Sequence, residues 1–381
     1  MAMILPGATI GILGGGQLGR MTAMAARPLG YHIHALDPDP SCAARFVVER
    51  CLTATFDDDF AAADLARHCA VVTLEIEKIS QASLAAAGRY APVRPSAEVL
   101  AIIQDRGRQK AWLEKQGFPL GPFRLATSEA ELAAAVREFG PSFAKSTTGG
   151  YDGRGQAELS RPEEAAEAWR AIGAGACVVE KALSLEAELS VLVARSPSGA
   201  MAVYPPSWNH HEHRILDWCV MPGPLAPALT RQAEEIARGI AGAIGVEGLL
   251  TVELFLLGDG SLKVNELAPR PHNSFHTTEI ACATSQFEQA VRAICDLPLG
   301  SVAVVRPAAI MNLLGDLWLD DKGPAFDQVL ALPGVRLHLY GKRVARPGRK
   351  MGHLSASAAT PEEAIALVQK ACALLGKAGK G

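Results

Sequence analysis

Glu253 in TVELFLL and Glu266 in KVNELAPR stand on either side of a GDGS turn. If these strands pair as a hairpin, both carboxylates project from an otherwise apolar sheet, which like charges resist unless a cation lies between them. Oxygen donors with few protein contacts suit Mg²⁺, which keeps waters and binds substrate phosphates. The alternative is that the acids face opposite sides or pair with surface lysines. Lys145 ends another apolar run and precedes Gly149-Gly150-Tyr151-Asp152-Gly153-Arg154-Gly155-Gln156. So many glycines are costly to order without a ligand. The segment is either a mobile hairpin tip or a lid whose amides wrap nucleotide phosphates, with Lys145 as a point charge. No G-x-x-x-x-G-K-[ST] string occurs, so it is not a Walker loop.

Directly after Glu266 come Arg270, His272, Asn273 and Ser274, stiffened by Pro269 and Pro271. This run offers a fork of donors for a planar oxyanion such as carbonate. Near the start, Gly14-x-Gly16-x-x-Gly19 follows an apolar run, and Asp37 lies at the distance expected of a nicotinamide site. Glycines at a strand-to-helix junction serve a dinucleotide, another phosphate or plain close packing equally well. Lys342, Arg343, Arg346, Arg349 and Lys350 form a basic stretch, either a solvated turn or a shaped loop for a substrate phosphate. His210, His211 and His213 lack the helical spacing of a zinc site, and one of them as a polar contact to nucleotide is the better expectation.

The elements that must carry these residues change character along the chain. ATIGILG, YHIHALD and CAVVTLEIE read as strands alternating with helices, hence a parallel sheet. SAEVLAIIQDRGRQKAWLEKQG reads as one helix with Ser96 as its N-cap. Past Pro122, ELSVLVAR, AMAVYP, LLTVELFLL and LKVNELA follow as strands of an antiparallel sheet. After Pro307 come AAIMNLL, VRLHLYG and a closing helix from Pro361. The fold class expected is α/β and α+β: a Rossmann-like N-terminal domain over 1–100, a glycine-lid domain over 101–185, and an antiparallel-sheet domain over 186–381 with a smaller module from about 305.

Bulk properties narrow the partners. The 381 residues are 49% hydrophobic and carry a formal charge of −3, so no nucleic-acid surface is expected and any basic cluster serves a small anion. No apolar run reaches membrane-spanning length, and neither a membrane nor a signal peptide is expected. The eight cysteines are scattered without a C-x-x-C pair, and the expectation is that they are reduced and buried in a cytoplasmic protein.

Taken in order, GGGQLGRM, TLEIE, QDRxxQK, GGYDGRGQ, NELAPRPHNS, TSQFEQ, HLYGK and PGRKMGH resemble the ATP-grasp superfamily and, within it, the N5-carboxyaminoimidazole ribonucleotide synthase family. The resemblance implies the ATP-grasp fold and an ATP-dependent carbon–nitrogen ligase of purine biosynthesis, using Mg²⁺ and forming a homodimer. Bicarbonate would be phosphorylated to carboxyphosphate, which delivers carbon dioxide to the amine of 5-aminoimidazole ribonucleotide. It implies Arg106, Lys145 and the lid Gly150, Tyr151, Asp152, Gly153, Arg154, Gly155 and Gln156 as phosphate contacts. Glu180, Lys181, Ala182 and Leu183 would be the adenine-reading hinge and Glu188 the ribose contact, with His211, Asn265 and Glu266 completing the pocket. Glu253 and Glu266 would hold Mg²⁺, and Arg270, His272, Asn273 and Ser274 the bicarbonate. Glu75, Tyr151, Asp152 and Arg154 would line the ribonucleotide site, with Lys342, Arg349 and the loop Gly16, Gln17 and Leu18 around its phosphate. On this reading Asp37 has no ribose to bind.

Two departures from the family pattern stand out. Phe275 occupies a position usually held by glycine, so its ring either narrows the bicarbonate pocket or points away, and residues 205–214 are less typical than their flanks. The rival readings are another ATP-grasp ligase or formate-using transferase, a nicotinamide-dependent dehydrogenase resting on the first loop alone, and a non-catalytic nucleotide-binding protein.

Overall fold

Strands β1 (Thr9–Leu13), β2 (His32–Asp37), β3 (Arg50–Thr53) and β4 (Val71–Leu74) pair in parallel in the order β3-β2-β1-β4. The computed structural model describes residues 2–149, 155–319 and 323–376. Helices cover both faces of this sheet, and Ile10, Ile12, Leu13 and Val72 are buried, as continuous apolar strands of a parallel sheet require. The region expected to form one helix after Ser96 forms two, Ala97–Ile103 and Arg106–Lys115. Asp105 interrupts it by capping the second helix, accepting from the Arg108 amide at 2.8 Å. Gln104 turns back, its Nε2 donating to the carbonyls of Glu77 and Ile79 at 2.6 Å each.

A second, antiparallel sheet holds β5 (Phe123–Ala126), β6 (Ser142–Ser146), β7 (Gln156–Leu159) and β8 (Cys177–Lys181) in the order β5-β8-β6-β7. Its helix Glu129–Phe139 starts at a Ser128 cap and ends at Gly140, whose φ of 73° suits glycine. Of the expected lid, Gly150, Tyr151, Asp152, Gly153 and Arg154 lie outside the described residues.

The third sheet has nine strands: β9 (Leu185–Arg195), β10 (Met201–Val203), β11 (Ser207–Glu212), β12 (Ile215–Met221), β13 (Gly248–Leu257), β14 (Leu262–Ala268), β15 (Ala308–Leu314), β16 (Val335–Leu339) and β17 (Lys350–Ser357). The order is β14-β13-β9-β11-β12-β15-β17-β16, with β10 on β9. Helix Pro227–Ile244 lays Ala233, Ala237, Ile240 and Ala241 on Val191, Val193, Leu250 and Val252. The expected C-terminal module is continuous with this sheet through β12 and β15. Its middle strand, β17, escapes a reading by alternation because polar His353 and Ser355 are buried within it.

His353 pairs with His338 across β16 and β17, their rings 4.7 Å apart and nearly parallel at 16°. His276 stacks on the other face of His353 at 4.9 Å. Burial holds His353 neutral with a pKa well below 6.5, and neighbouring His276 and His338 reinforce this. Below about 6.5 the unfolded chain binds a proton that the native site refuses, so the His353 contribution to stability is present above that pH and lost as pH falls. Glu279 nearby, raised by burial from 4.5 to about 7, works oppositely, its contribution being lost as pH rises through that window. His353→Phe keeps a ring in the stack and removes one titration. Denaturant unfolding at a series of pH values should show wild-type stability falling relative to this variant by about 1.4 kcal/mol per pH unit below 6.5. A pH-independent difference would contradict the buried neutral state.

Candidate active site

The hairpin that carries the two acids is irregular. Val252 pairs with Leu267 and Leu254 with Val264, so the single residue Glu253 faces both Asn265 and Glu266. Such a bulge keeps Val264 and Leu267 in the core while turning the two residues between them toward the Glu253 side. Asn265 Nδ2 donates to Glu253 Oε2 at 3.2 Å, and His272 Nε2 lies 3.2 Å from Glu253 Oε1. Burial raises the Glu253 pKa, but the hydrogen bond and charge of His272 outweigh it and hold the carboxyl at about 2. Burial raises Glu266, and Glu253 adds to that rise, while Arg106 and Lys145 oppose it. Arg106 Nη2 stands 3.6 Å from Glu266. The two acids therefore act on one another on one face, with oxygen donors and mutual repulsion of the kind a divalent cation relieves.

A lysine pair meets them from two elements. Lys110 Nζ contacts Glu180 Oε1 at 2.6 Å, and Lys145 on β6 contacts the other carboxylate oxygen. Burial alone would raise Glu180, yet the two ammonium groups hold it at about 2. Lys110 is 5% exposed and is missing from the residues expected from the sequence. Its spacing from Arg106, four residues on one helix, places both on one face and is the clue that QDRGRQK contains. In the expected adenine hinge, the amides of Lys181 and Ala182 already donate to the carbonyls of Pro122 and Pro141, and Leu183 packs beside Gly121. At the other end of the lid, Gly155 has a φ of 67° and Gln156 pairs with Lys145.

The histidine-rich run forms the end of β11, whose register with β9 sets Asn209 beside Glu188. His211 Nδ1 lies 3.2 Å from Glu188 Oε1. Burial lowers the His211 pKa, but the Glu188 hydrogen bond and charge prevail and raise it. His210 instead stacks on Trp218 at 5.0 Å. Among the described residues, three potential metal donors converge within 4.8 Å at Glu279, His338 and His353, away from that run. The near-parallel rings of His338 and His353 keep their in-plane lone pairs from meeting at one point.

Past the acids, Arg270 Nε donates to Glu77 Oε1 at 2.7 Å, docking this segment on the first domain. Gln286 clamps the His272 backbone, its Oε1 accepting from the amide at 2.8 Å and its Nε2 donating to the carbonyl at 2.9 Å. Asn273 is 8% exposed, and neither Oδ1 nor Nδ2 has a hydrogen-bond partner among the described residues. Such an amide fits an additional polar ligand. Ser274 departs from expectation: it is 1% exposed, its Oγ lies 3.5 Å from Ser190 Oγ, and its carbonyl accepts from Thr277 Oγ1 at 3.3 Å. It belongs to a buried network beneath the site, because the short helical turn at Asn273–Phe275 draws it inward. Phe275 points away, fully buried with its ring 6.2 Å from Tyr204.

The opening glycine loop also departs from expectation. The amides of Gly16 and Gly19 donate to the two oxygens of Glu75 at 2.6 and 2.7 Å, and the Gly15 amide to Asp37 Oδ2 at 2.7 Å. The anion at this helix N-terminus is the chain's own carboxylate. A Cβ on Gly16 would lie 2.4 Å from Glu75 Oε1, which is why the turn needs glycine there. Gly16 therefore has no free amide for a substrate phosphate, and Leu18 is packed among Met21, Phe287 and Tyr340. Gln17 reaches the C-terminal basic stretch, where its Oε1 accepts from Lys342 Nζ at 2.6 Å. Lys342 also donates to the Lys350 carbonyl at 2.6 Å, and Arg349 Nη1 to the Val344 carbonyl at 2.7 Å. Burial raises Glu75 to about 7 against the pull of its two amides.

Three family models match in the order of the sheets: the ribonucleotide synthetase preATP-grasp domain over residues 7–104, the ATP-grasp domain over 111–287, and the phosphoribosylaminoimidazole carboxylase C-terminal domain over 308–367. The chain is 38% identical over 357 residues to the N5-carboxyaminoimidazole ribonucleotide synthase of Bacillus subtilis, covering 93% of this chain and 92% of the relative. It is similar to the solved ADP complex of an N5-carboxyaminoimidazole ribonucleotide synthetase, with a TM-score of 0.92, 40% identity and 98% of each chain covered. A further similar structure is the Aspergillus clavatus N5-carboxyaminoimidazole synthase with ADP and 5-aminoimidazole ribonucleotide, at a TM-score of 0.91 and 33% identity, covering 97% of this chain and 99% of that one. Identity of this order, sustained over nearly the whole length on a shared fold, means that the chain belongs to the N5-carboxyaminoimidazole ribonucleotide synthase family of ATP-grasp enzymes.

Proposed function

We propose that this protein joins 5-aminoimidazole ribonucleotide, bicarbonate and ATP to give N5-carboxyaminoimidazole ribonucleotide, ADP and phosphate. The observation that carries the reading is the meeting of Glu253, Glu266, Arg106 and Lys145 beside the Arg270–Asn273 segment, in a chain of this family. Glu253 and Glu266 would hold Mg²⁺, which supplies charge neutralisation to the phosphates. Arg106 and Lys145 present positive charge to the transferring phosphoryl group. The hinge would read adenine through its carbonyls and the Leu183 amide, since the Lys181 and Ala182 amides have partners.

Arg270, His272 and Asn273 hold bicarbonate. A bicarbonate oxygen attacks the γ-phosphorus, the bond to ADP breaks, and carboxyphosphate forms. Its collapse gives phosphate and carbon dioxide; the ribonucleotide amine attacks the carbon and loses its proton to the released phosphate, leaving the carbamate. Glu75 and Glu77 border the amine side, and Lys342 with Gln17 and Arg349 serves the phosphate end. A homodimer in the cytoplasm is the expected setting, and light scattering of the purified chain checks the assembly.

Glu266→Gln should lower bicarbonate-dependent ADP formation by about a hundredfold or more, with the fold retained by circular dichroism. Normal turnover would overturn the metal assignment. Lys342→Ala should raise the Michaelis constant for the ribonucleotide by about tenfold with little change in kcat, as expected for a lost charge-assisted contact. A fall in kcat at an unchanged Michaelis constant would place Lys342 elsewhere in the cycle.

A further inference from the structure

None of the eight cysteines is in a disulfide, and the sulfurs of Cys42 and Cys51 touch. Cys42 follows β2, Cys51 lies in β3, and their sulfurs are 3.6 Å apart in a thiol–thiol hydrogen bond. Other thiols have different company: Cys69 donates to the Leu65 carbonyl at 3.2 Å, Cys219 to the Ser274 carbonyl at 3.2 Å, and Cys282 to the Met221 sulfur at 3.5 Å. We propose that Cys42 and Cys51 are an oxidation site, closing to a disulfide under peroxide and resetting the glycine turn that backs the ribonucleotide site.

Cys51 is the partner better suited to react first. It is partly exposed, whereas Cys42 is 5% exposed. The Cys42 hydrogen bond lowers the Cys51 pKa to about 7 against its burial, with the Arg45 charge helping. A thiolate beside a cation and next to a resolving thiol is the arrangement that peroxide oxidises selectively. The Cys51 thiolate attacks one peroxide oxygen, the O–O bond breaks, and hydroxide leaves with the released proton as water. The Cys42 sulfur then attacks the sulfenic sulfur; the S–S bond forms, the S–O bond breaks, and hydroxide takes the Cys42 proton. Two thiols and one hydrogen peroxide thus give one disulfide and two waters.

The consequence follows from packing. The Cys42 sulfur rests so close to Gly15 that a Cβ there would lie 2.5 Å from it. Drawing the sulfurs from 3.6 Å to a bond of about 2.05 Å moves them about 1.5 Å closer. Ala44, two residues after Cys42, donates its amide to the Gly15 carbonyl at 2.8 Å, so the shift passes into the turn. The next residues are Gly16, which holds Glu75, and Gln17, which holds Lys342. The thiol chemistry stands apart from the proposed reaction; its effect on the ribonucleotide rests on that reading.

The full-length protein, Cys42→Ser and Cys51→Ser are each treated with hydrogen peroxide, then digested without reduction and mapped by mass. Wild type should yield the Cys42–Cys51 linked peptide, with a severalfold rise in the Michaelis constant for 5-aminoimidazole ribonucleotide that dithiothreitol reverses. Both serine variants should keep their untreated constants. The proposal is overturned if the two peptides stay unlinked while other thiols oxidise, or if the linked enzyme binds ribonucleotide as the reduced one does. Should untreated wild type show no turnover, the functional reading fails, and the linked peptide still decides the thiol pair.

Discussion

Two carboxylates side by side on one β-hairpin are the constraint around which the site is organised. A regular hairpin would oppose Glu253 with Asn265 alone and send Glu266 into the core that Val252 and Leu254 occupy. Burying an ionised carboxylate there is too costly to tolerate. The bulge removes that conflict and creates another, because Glu266 now feels Glu253. The surrounding groups answer it. His272 lies against Glu253, Arg106 approaches Glu266, and Lys145 leans in from the second sheet. Glu180 in turn anchors Lys145 together with Lys110, so a strand of the second sheet and a helix from the preceding segment share one counterion. Removing one member of such a cluster leaves the others uncompensated.

The same economy of charge explains the first loop. Its glycine spacing and Asp37 imitate a dinucleotide fingerprint, yet both acids serve the turn itself. Asp37 accepts from the Gly15 and Asp39 amides, which gives it a structural task where none was expected. Glu75 fills the helix N-terminus that a phosphate would otherwise seek. What the loop presents outward is Gln17, whose partner Lys342 comes from the far end of the chain. The glycine loop and the Arg270 segment are thereby joined through Glu75 and Glu77, which share one short segment and reach the first and the second respectively.

Much of this was legible in the sequence. The parallel sheet, the antiparallel strands, the hairpin acids and the donor run from Arg270 follow from period and spacing, because each is a local pattern. The bulge leaves a trace as well, in the three-residue step from Val264 to Leu267 that breaks the alternation. Other features are not local. Lys110 meets Glu180, Gln286 clamps His272, and Cys42 meets Cys51 only once separate elements pack. Ser274 reads as a donor like its neighbours, and only the turn of the backbone shows it facing the buried Ser190. At the helix break the local Asp105 cap and the Gln104 bonds to Glu77 and Ile79 override a helical pattern, and the buried polar interior of β17 overrides an alternating one.

If the paired carboxylates are the seat of a divalent cation, nucleotide affinity must depend on that cation. Calorimetric titration of ATP into the protein, with and without saturating Mg²⁺, measures this directly. ATP should bind more tightly with Mg²⁺ by about tenfold or more, some 1.4 kcal/mol. Equal affinity in the two titrations would contradict it.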